Sequence, residues 1–245
     1  RDTDRSRGLG DVYKRQNKTI DLRTNEVHDI TVEPATDEEV FNTVKVMGGE
    51  DWKDWITALK NADAIEPDAI TVAYSYIGPV LTHPMYRDGS IGKAKDHLFK
   101  TAKEITEEFN GIRAYLSVNK ALVTQSSAAI PIVPLYISIL YKVMKAKGCH
   151  EGCIEQMYRL FNQKLFGEKP VLDAEGRIRL DDLELQDDIQ EEVTKLWSDI
   201  STEKIAECAD IDGYWEEFYK LFGFKVTGVD YDAETDVEVK IDSID

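Results

Sequence analysis

Cysteine is scarce in this chain of 245 residues. Cys149, Cys153 and Cys208 are the full set, which excludes the dense disulfide framework of small secreted proteins. This scarcity suits a reducing compartment, and we predict a cytoplasmic protein. His150 lies beside two of the cysteines, but no second pair of ligands follows at the spacing that zinc sites use. We therefore predict no metal site.

Basic residues are also few, because 30 Lys and Arg stand against 47 Asp and Glu, a formal net charge of −17. Such a charge repels nucleic acids and anionic membrane surfaces, so we predict neither as a partner. Five carboxylates cluster late in the chain: Asp181, Asp182, Glu184, Asp187 and Asp188. Because no glycine-centred calcium loop surrounds them, we interpret them as a solvated acidic face.

Long apolar runs are missing. The longest uncharged apolar stretch, residues 128–141, is shorter than the roughly 20 residues that a bilayer requires, and Pro131 and Pro134 interrupt it. We predict a buried helix there and no membrane span. Apolar residues make up 42% of the chain, which is enough to bury the core of one large domain or two small ones.

A glycine-rich phosphate loop is absent as well. No G-x-G-x-x-G run occurs, and the glycines at 48–49 and 89–92 are too few and precede the wrong elements. The first sixteen residues differ in composition from the rest, with five basic and three acidic side chains. Residues 1–16 fit either a cloning or assembly remnant or a disordered natural terminus; we expect the former and leave them out of the fold.

Local signals predict most of the secondary structure. Residues 17–34 alternate as in a hairpin, and Thr36 with Glu39 forms a capping box that opens a helix ending at Gly48. Apolar residues at helical spacing predict an amphipathic helix over 52–59. Later segments are predicted as an amphipathic helix over 154–165, a small hairpin at Gly176, and helices over 187–200 and 213–222.

The middle of the chain alternates as α/β proteins do. Residues 69–74 are short, β-branched and nearly all apolar, as in a central strand covered on both faces, and we predict Tyr74 to face the core. A helix over 91–109 and a strand over 112–118 follow, which predicts a right-handed parallel crossover. We predict an α/β fold, a Rossmann-like parallel sheet with flanking helices.

Two residues with chemical potential, Tyr86 and Lys95, lie nine positions apart. On one continuous helix, nine steps of about 100° would place them on opposite faces. If a turn at 89–90 instead leads into a helix near Ile91, Tyr86 lies in the preceding loop and both side chains reach one pocket. The spacing alone also fits two unrelated surface residues.

Segments on both sides of this pair carry a family pattern. They are residues 74–79 (YSYIGP), 117–125 (SVNKALVTQ), 150–156 (HEGCIEQ), 176–179 (GRIR) and 223–224 (GF). With Tyr86 and Lys95, this set resembles the single-chain trans-2-enoyl-thioester reductases, namely the trans-2-enoyl-CoA reductases and the long-form bacterial enoyl-[acyl-carrier-protein] reductases. The resemblance extends over nearly everything after Lys18.

The resemblance implies an NADH-dependent enzyme that reduces the trans-2 double bond of enoyl-CoA or enoyl-acyl-carrier-protein thioesters in fatty acid synthesis. It implies that Tyr86 donates to the developing enolate oxygen, and that Tyr76 binds the thioester carbonyl or acyl chain. Lys95 would bind the nicotinamide ribose and, as a nearby cation, would lower the pKa of Tyr86. The implied further contacts to the cofactor are Thr124, Gln125 and Ser126.

The family also has an N-terminal dinucleotide-binding half with a phosphate loop, which this sequence lacks. The resemblance therefore implies that residues 17–245 are the C-terminal part of a longer, monomeric enzyme, with weak cofactor binding and little activity alone. One alternative is a short-chain carbonyl reductase, which would place its lysine four residues after the tyrosine, where Ser90 stands. The other is a non-catalytic thioester-binding relic.

Overall fold

Helices and short strands alternate along the part of the chain that the structure describes. The computed structural model describes residues 15–236, 238 and 240, with the backbone alone at 15 and 16, so the predicted non-native segment 1–16 otherwise lies outside it. The strands are β1 (Arg15–Asp21), β2 (Glu26–Val32), β3 (Ile70–Ser75), β4 (Arg113–Val118) and β5 (Ile178–Arg179). The helices are α1 (Asp37–Met47), α2 (Glu50–Asn61), α3 (His83–Tyr86), α4 (Ser90–Glu108), α5 (Gln125–Ala128), α6 (Val133–Ala146), α7 (Cys153–Arg159), α8 (Asp187–Asp199), α9 (Ile205–Cys208) and α10 (Ile211–Lys220).

Three parallel strands form the sheet that carries the site. β3 pairs with β4, Ser75 lying opposite Val118, and β4 pairs with β5. Within the described residues β3 is thus an edge strand, and most of its side chains are half-buried. The prediction of a central strand covered on both faces is therefore wrong. Tyr74, predicted to face the core, is 54% exposed, so its face of β3 is only partly covered within the described residues.

The long helix α4 connects β3 to β4, which confirms the helix predicted over 91–109 and the parallel crossover. Its inner face packs against the sheet and against α2. The buried apolar residues of this layer are Ile56, Ala102, Ile105, Ile112 and Ala114. Burial of these apolar side chains stabilises the packing of α4 on the sheet. Packed in this way, α4 has its first turns near the end of β3.

The largest apolar core surrounds α6, in which 11 of 14 residues are buried. The buried helix predicted within 128–141 is confirmed, but it begins at Val133. Pro134 suits this start, because proline has no N–H to donate and its fixed φ fits the first helical turn. Ile132, between the two prolines, is buried with a φ of 75°, a strained conformation for a β-branched residue. None of the described helices is long and apolar enough to cross a bilayer.

The predicted hairpin is confirmed as β1 paired with β2, and it holds the end of α8. The Nζ atom of Lys18 donates to the backbone carbonyls of Trp197 at 2.9 Å and Ile200 at 3.1 Å. The last carbonyls of a helix have no partner within it, and a cation there also complements the helix dipole. The hairpin therefore serves as a C-terminal cap for α8.

The capping box that opens α1 is also confirmed. The Glu39 N–H donates to the Thr36 hydroxyl at 3.3 Å, and the Thr36 N–H donates to the Glu39 carboxylate at 2.8 Å. The helices predicted over 52–59, 187–200 and 213–222 correspond to α2, α8 and α10, with small shifts at their ends.

Two downstream predictions need correction. Gly176 turns the chain with a φ of 91°, but the following β5 pairs in parallel with β4, so no hairpin forms. The helix predicted over 154–165 is α7 followed by a π-helical turn, Leu160–Leu165. Ile154, the first residue of that predicted helix, is 77% exposed, so it does not belong to the buried face of α7.

Candidate active site

Tyr76 lies at the carboxyl edge of the parallel sheet, directly after β3. Asn119, directly after β4, donates its N–H to the carbonyl of Ser75 at 2.8 Å. The ends of the two strands therefore stay together after the regular pairing stops. In open α/β sheets this edge is where ligands bind.

A sharp return of the chain brings Tyr86 and Lys95 to the same edge. Tyr86 is the last residue of the one-turn helix α3, not a loop residue as predicted, and Gly89 caps α4. The predicted break between Tyr86 and the helix of Lys95 is confirmed. Gly92 permits the close return, because a Cβ there would lie 1.9 Å from the carbonyl oxygen of Arg87.

Tyr76, Tyr86 and Lys95 form a contact cluster, named here the tyrosine–lysine cluster. The two phenol rings are nearly perpendicular, at 86°, with centroids 4.7 Å apart. The Nζ atom of Lys95 lies 4.2 Å from the Tyr86 centroid and 5.4 Å from the Tyr76 centroid, and it donates to the backbone carbonyl of Tyr76. The structure thus brings three predicted residues together, with the amine over the ring faces.

The electrostatics of the cluster differ from the prediction for Tyr86. Burial, together with the charge of Glu184, raises the pKa of the Tyr86 phenol well above its usual value of 10. Burial also lowers the pKa of Lys95 to about 7, although the ring faces and the carbonyl oxygen favour its charged form. The prediction that Lys95 lowers the pKa of Tyr86 is therefore wrong, because desolvation of the phenol dominates.

Glu184 is a residue of this site that the sequence analysis missed. Its Oε1 atom accepts hydrogen bonds from the hydroxyls of Tyr76 at 2.9 Å and Tyr136 at 2.6 Å. Its Oε2 atom accepts the N–H of Ala121 at 2.7 Å. Burial raises the pKa of the Glu184 carboxyl, and these donors, with the charge of Lys120, oppose that rise. Burial and the charge of Glu184 raise the pKa of Tyr76 as well.

The interpretation of the late carboxylates as a solvated face is correct for three of them and wrong for two. Asp182, Asp187 and Asp188 are exposed. Glu184 and Asp181 have no exposed surface, and Asp181 pairs with Arg179 through two contacts of 2.7 and 2.6 Å. A weak signal existed in the sequence, since leucines flank Glu184 on both sides, as they would a residue near an apolar core.

The predicted cofactor residues lie on the segment that follows β4. Thr124 is the N-cap of α5, and its hydroxyl accepts the N–H of Ser127 at 3.0 Å. Thr124, Gln125 and Ser126 are all exposed. Among the described residues, no hydrogen bond connects them to the tyrosine–lysine cluster, so the structure places them at the same sheet edge but not in the cluster.

An open cleft of about 710 Å³, within the size range of small-molecule sites, lies along the segment that follows Tyr76, and Tyr76, Tyr86 and Lys95 themselves do not line it. Ile77 and Leu81 line it from the segment after Tyr76, and Leu185 and Gln190 line it from the opposite side. Gln190 also donates to the hydroxyl of Tyr136 at 3.3 Å and to the backbone carbonyl of Glu184 at 2.7 Å. Gln190 therefore belongs both to the lining of the cleft and to the hydrogen-bond network around Glu184.

The histidines and cysteines have structural surroundings. His83 contacts the carbonyl of Gly78 at 3.1 Å, and Nδ1 of His97 accepts the N–H of Gly49 at 3.0 Å. The three cysteines are unpaired. Among the described residues, no group of three or more His, Cys, Asp or Glu side chains is placed to hold a metal ion.

A family model described as the trans-2-enoyl-CoA reductase catalytic region matches residues 7–166, most of the chain. The chain belongs to the trans-2-enoyl-CoA reductase family. A second model, described as an enoyl reductase FAD binding domain, matches residues 172–235. The tyrosine–lysine cluster of this reductase family member lies in the first matched region, and Glu184 reaches it from the second.

Individual relatives agree with the family. The chain is 52% identical over 229 residues to the trans-2-enoyl-CoA reductase [NADH] of Ruminiclostridium cellulolyticum, covering 93% of this chain and 58% of that protein. It is also 52% identical over 231 residues to the enoyl-[acyl-carrier-protein] reductase [NADH] of Flavobacterium johnsoniae, with the same coverage. The crystal structure of the Treponema denticola trans-2-enoyl-CoA reductase in complex with NAD superimposes with a TM-score of 0.87 at 47% identity, covering 93% of this chain and 58% of that one. The chain thus spans somewhat more than half the length of these relatives.

Proposed function

We propose that this chain carries the catalytic tyrosine of an NADH-dependent reductase of trans-2-enoyl thioesters, either enoyl-CoA or enoyl-acyl-carrier-protein, in fatty acid synthesis. The observation that carries the proposal is the tyrosine–lysine cluster at the carboxyl edge of the sheet, beside an open cleft, in a chain of this family. Its unpaired cysteines and acidic surface support a cytoplasmic, monomeric enzyme.

In this reaction NADH supplies a hydride to the β-carbon of the enoyl thioester, and negative charge collects on the thioester oxygen. Tyr86 donates a hydrogen bond from its hydroxyl to that oxygen and stabilises the enolate, and a proton from water completes the reduction at the α-carbon. The raised pKa of Tyr86 suits this role, because the phenol keeps its hydrogen at neutral pH. The amine of Lys95, which lies over the ring, binds the hydroxyls of the nicotinamide ribose.

The residues present fit the nicotinamide end of NADH. The Ser75 hydroxyl at the sheet edge is buried without a hydrogen-bond partner among the described residues, and the amine of Lys95 is adjacent to Tyr76. We propose that Thr124, Gln125 and Ser126, which are exposed at this edge, lie along the cofactor. The chain contains no glycine-rich loop for the pyrophosphate, so we propose that full activity requires an additional dinucleotide-binding half.

Tyr76 is proposed to contact the acyl part of the substrate. Its hydroxyl hydrogen is bound by Glu184 and its oxygen also has a hydrogen bond with Thr82, which leaves the ring for the substrate. This favours the acyl chain over the thioester carbonyl as its partner. The carbonyl reductase alternative receives no support, since its lysine position is held by Ser90, which is buried at the start of α4.

The test uses two proteins: the 245-residue chain, and a fusion that places before it the segment of the R. cellulolyticum relative preceding the match. Each is mixed with crotonyl-CoA and NADH, and absorbance of the nicotinamide is followed. We expect turnover by the fusion, and weak NADH binding with little turnover by the chain alone. A fusion that binds NADH but does not oxidise it with either crotonyl-CoA or the carrier-protein thioester would contradict the proposed function. Equal NADH affinity of the two proteins would contradict the need for a second half.

A further inference from the structure

Glu184 connects the tyrosine–lysine cluster to the rest of the fold. One carboxylate accepts hydrogen bonds from Tyr76 after β3, from Tyr136 on α6 and from the Ala121 N–H after β4. Three elements that are distant in sequence therefore meet at a single side chain. Glu184 has no exposed surface, and a buried carboxylate is retained at low cost only when its oxygens are bonded in this way.

We propose that Glu184 is a positioning residue that takes up the hydroxyl hydrogen of Tyr76 and thereby reserves donation to the substrate for Tyr86. The inference rests on the proposed function. It assigns a role in the reductase site to a residue of the region 172–235, which is the second matched region.

The argument depends on the single hydrogen of a phenol. Tyr76 gives that hydrogen to a carboxylate, and hydrogen bonds to charged acceptors are about twice as strong as neutral ones. The hydroxyl of Tyr86 has no hydrogen-bond partner within the described residues, while its ring contacts the perpendicular ring of Tyr76 and the amine of Lys95. Two tyrosines in contact thus differ in the availability of their hydrogen, and Glu184 is the cause.

Glu184 also fixes where the Tyr76 ring lies. The second phenol, Tyr136, holds the same Oε1 atom at 2.6 Å, and Gln190 holds the Tyr136 hydroxyl and the Glu184 backbone. Because the carboxylate cannot move without breaking these bonds, Tyr76 keeps its perpendicular contact with Tyr86. Loss of the carboxylate would release the ring edge that supports the catalytic phenol.

The main variant is Glu184→Gln in the fusion protein described above. An amide has only one acceptor oxygen and cannot accept from both the Ala121 N–H and the two phenols. If its oxygen accepts the Ala121 N–H, its NH2 group faces the phenols, and the Tyr76 hydroxyl must accept a hydrogen bond where it now donates one. We expect kcat to fall about tenfold, as for the loss of one charge-assisted hydrogen bond, with a smaller change in KM for crotonyl-CoA. The matched control is Asp181→Asn, an equally buried carboxylate in the same loop that pairs with Arg179; its kcat should equal that of the wild type.

A double-mutant cycle separates positioning through Tyr76 from a general structural effect. Tyr76→Phe is measured in the wild-type background and in the Glu184→Gln background. If Glu184 acts through the Tyr76 hydroxyl, the second substitution adds little to the first, and the two effects on kcat are not additive. Tyr136→Phe leaves the carboxylate and removes one of its donors, and we expect a smaller fall in kcat. This variant decides the question if Glu184→Gln does not fold.

The outcomes are distinguishable. A wild-type fusion that binds NADH but does not reduce enoyl thioesters contradicts the proposed function, and the inference fails with it. An active wild type whose Glu184→Gln variant has an unchanged kcat contradicts the inference alone, as do additive effects in the cycle. If the Asp181→Asn control loses as much kcat as Glu184→Gln, the effect is structural and the inference is wrong.

Discussion

The amine of Lys95 lies over the face of the Tyr86 ring, 4.2 Å from its centroid. A cation in this position is attracted by the ring quadrupole and does not occupy the hydroxyl oxygen. The phenol ring therefore contacts the amine on its face and the perpendicular ring of Tyr76, and its hydroxyl remains available. The predictions below follow from this arrangement and from the packing that supports it.

Replacing Tyr86 with Phe tests the oxyanion donor. Loss of one such donor typically raises the barrier by about 2.7–4 kcal/mol, so we expect kcat of the fusion protein to fall about a hundredfold or more. The measurement is NADH oxidation with crotonyl-CoA. The control is Tyr74→Phe on β3, whose exposed ring lies outside the cluster; loss of its hydroxyl should leave kcat unchanged. Retention of more than about a tenth of the wild-type kcat by Tyr86→Phe would exclude the assigned role, since a donor contributes more than this.

Burial of Lys95 predicts a pH-dependent stability. Its pKa is about 7 in the folded protein against 10.5 ordinarily, so above pH 7 the unfolded chain binds a proton that the folded one does not. The folded wild type should therefore gain up to about 1.4 kcal/mol per pH unit between pH 7 and 10, relative to a Lys95→Met variant that cannot titrate. Urea unfolding of both proteins at pH 7, 8 and 9 measures the difference. A difference that is constant over this range would show that the ring faces keep the amine charged.

Gly92 predicts a steric requirement at the start of α4. A Cβ at this position would lie 1.9 Å from the carbonyl oxygen of Arg87 and 2.5 Å from its carbon, which are backbone atoms that cannot turn aside. We expect Gly92→Ala to destabilise the fold by about 1–3 kcal/mol, because the return between Tyr86 and Lys95 must open. Lys93→Ala, at an exposed position of the same turn, should change stability by less than about 0.5 kcal/mol. Equal unfolding midpoints for the two variants would contradict the contact.

The core around α6 predicts a large effect of truncation. Leu140 has no exposed surface, so Leu140→Ala should cost about 2–5 kcal/mol of unfolding free energy through lost burial and the cavity that remains. Val46→Ala, at a residue of α1 that is 81% exposed, should cost less than about 0.5 kcal/mol. Urea denaturation of the two variants provides the comparison. A small loss for Leu140→Ala would show that α6 is not packed as described.

Local signals predicted the elements well where a single physical rule acts. The capping box placed the start of α1, and the β-branched run placed β3. A break at Gly89 separates Tyr86 from the helix of Lys95, as predicted. The prediction rested on helix geometry, since two residues nine positions apart on one helix would point to opposite faces. The family pattern then indicated which tyrosines matter.

The sequence by itself determined the long helices and the strands β1 to β4, the break between Tyr86 and Lys95, and the family to which the chain belongs. The tertiary structure alone decided that β3 is an edge strand among the described residues, that burial raises the pKa of Tyr86, and that Glu184 is enclosed beneath Tyr76 and Tyr136. The physical reason is that periodicity and capping depend on neighbours in the chain. Desolvation and hydrogen bonding of a carboxylate depend on contacts with the ends of β3 and β4 and with α6, which are distant in the sequence. Local sequence patterns do not predict such contacts.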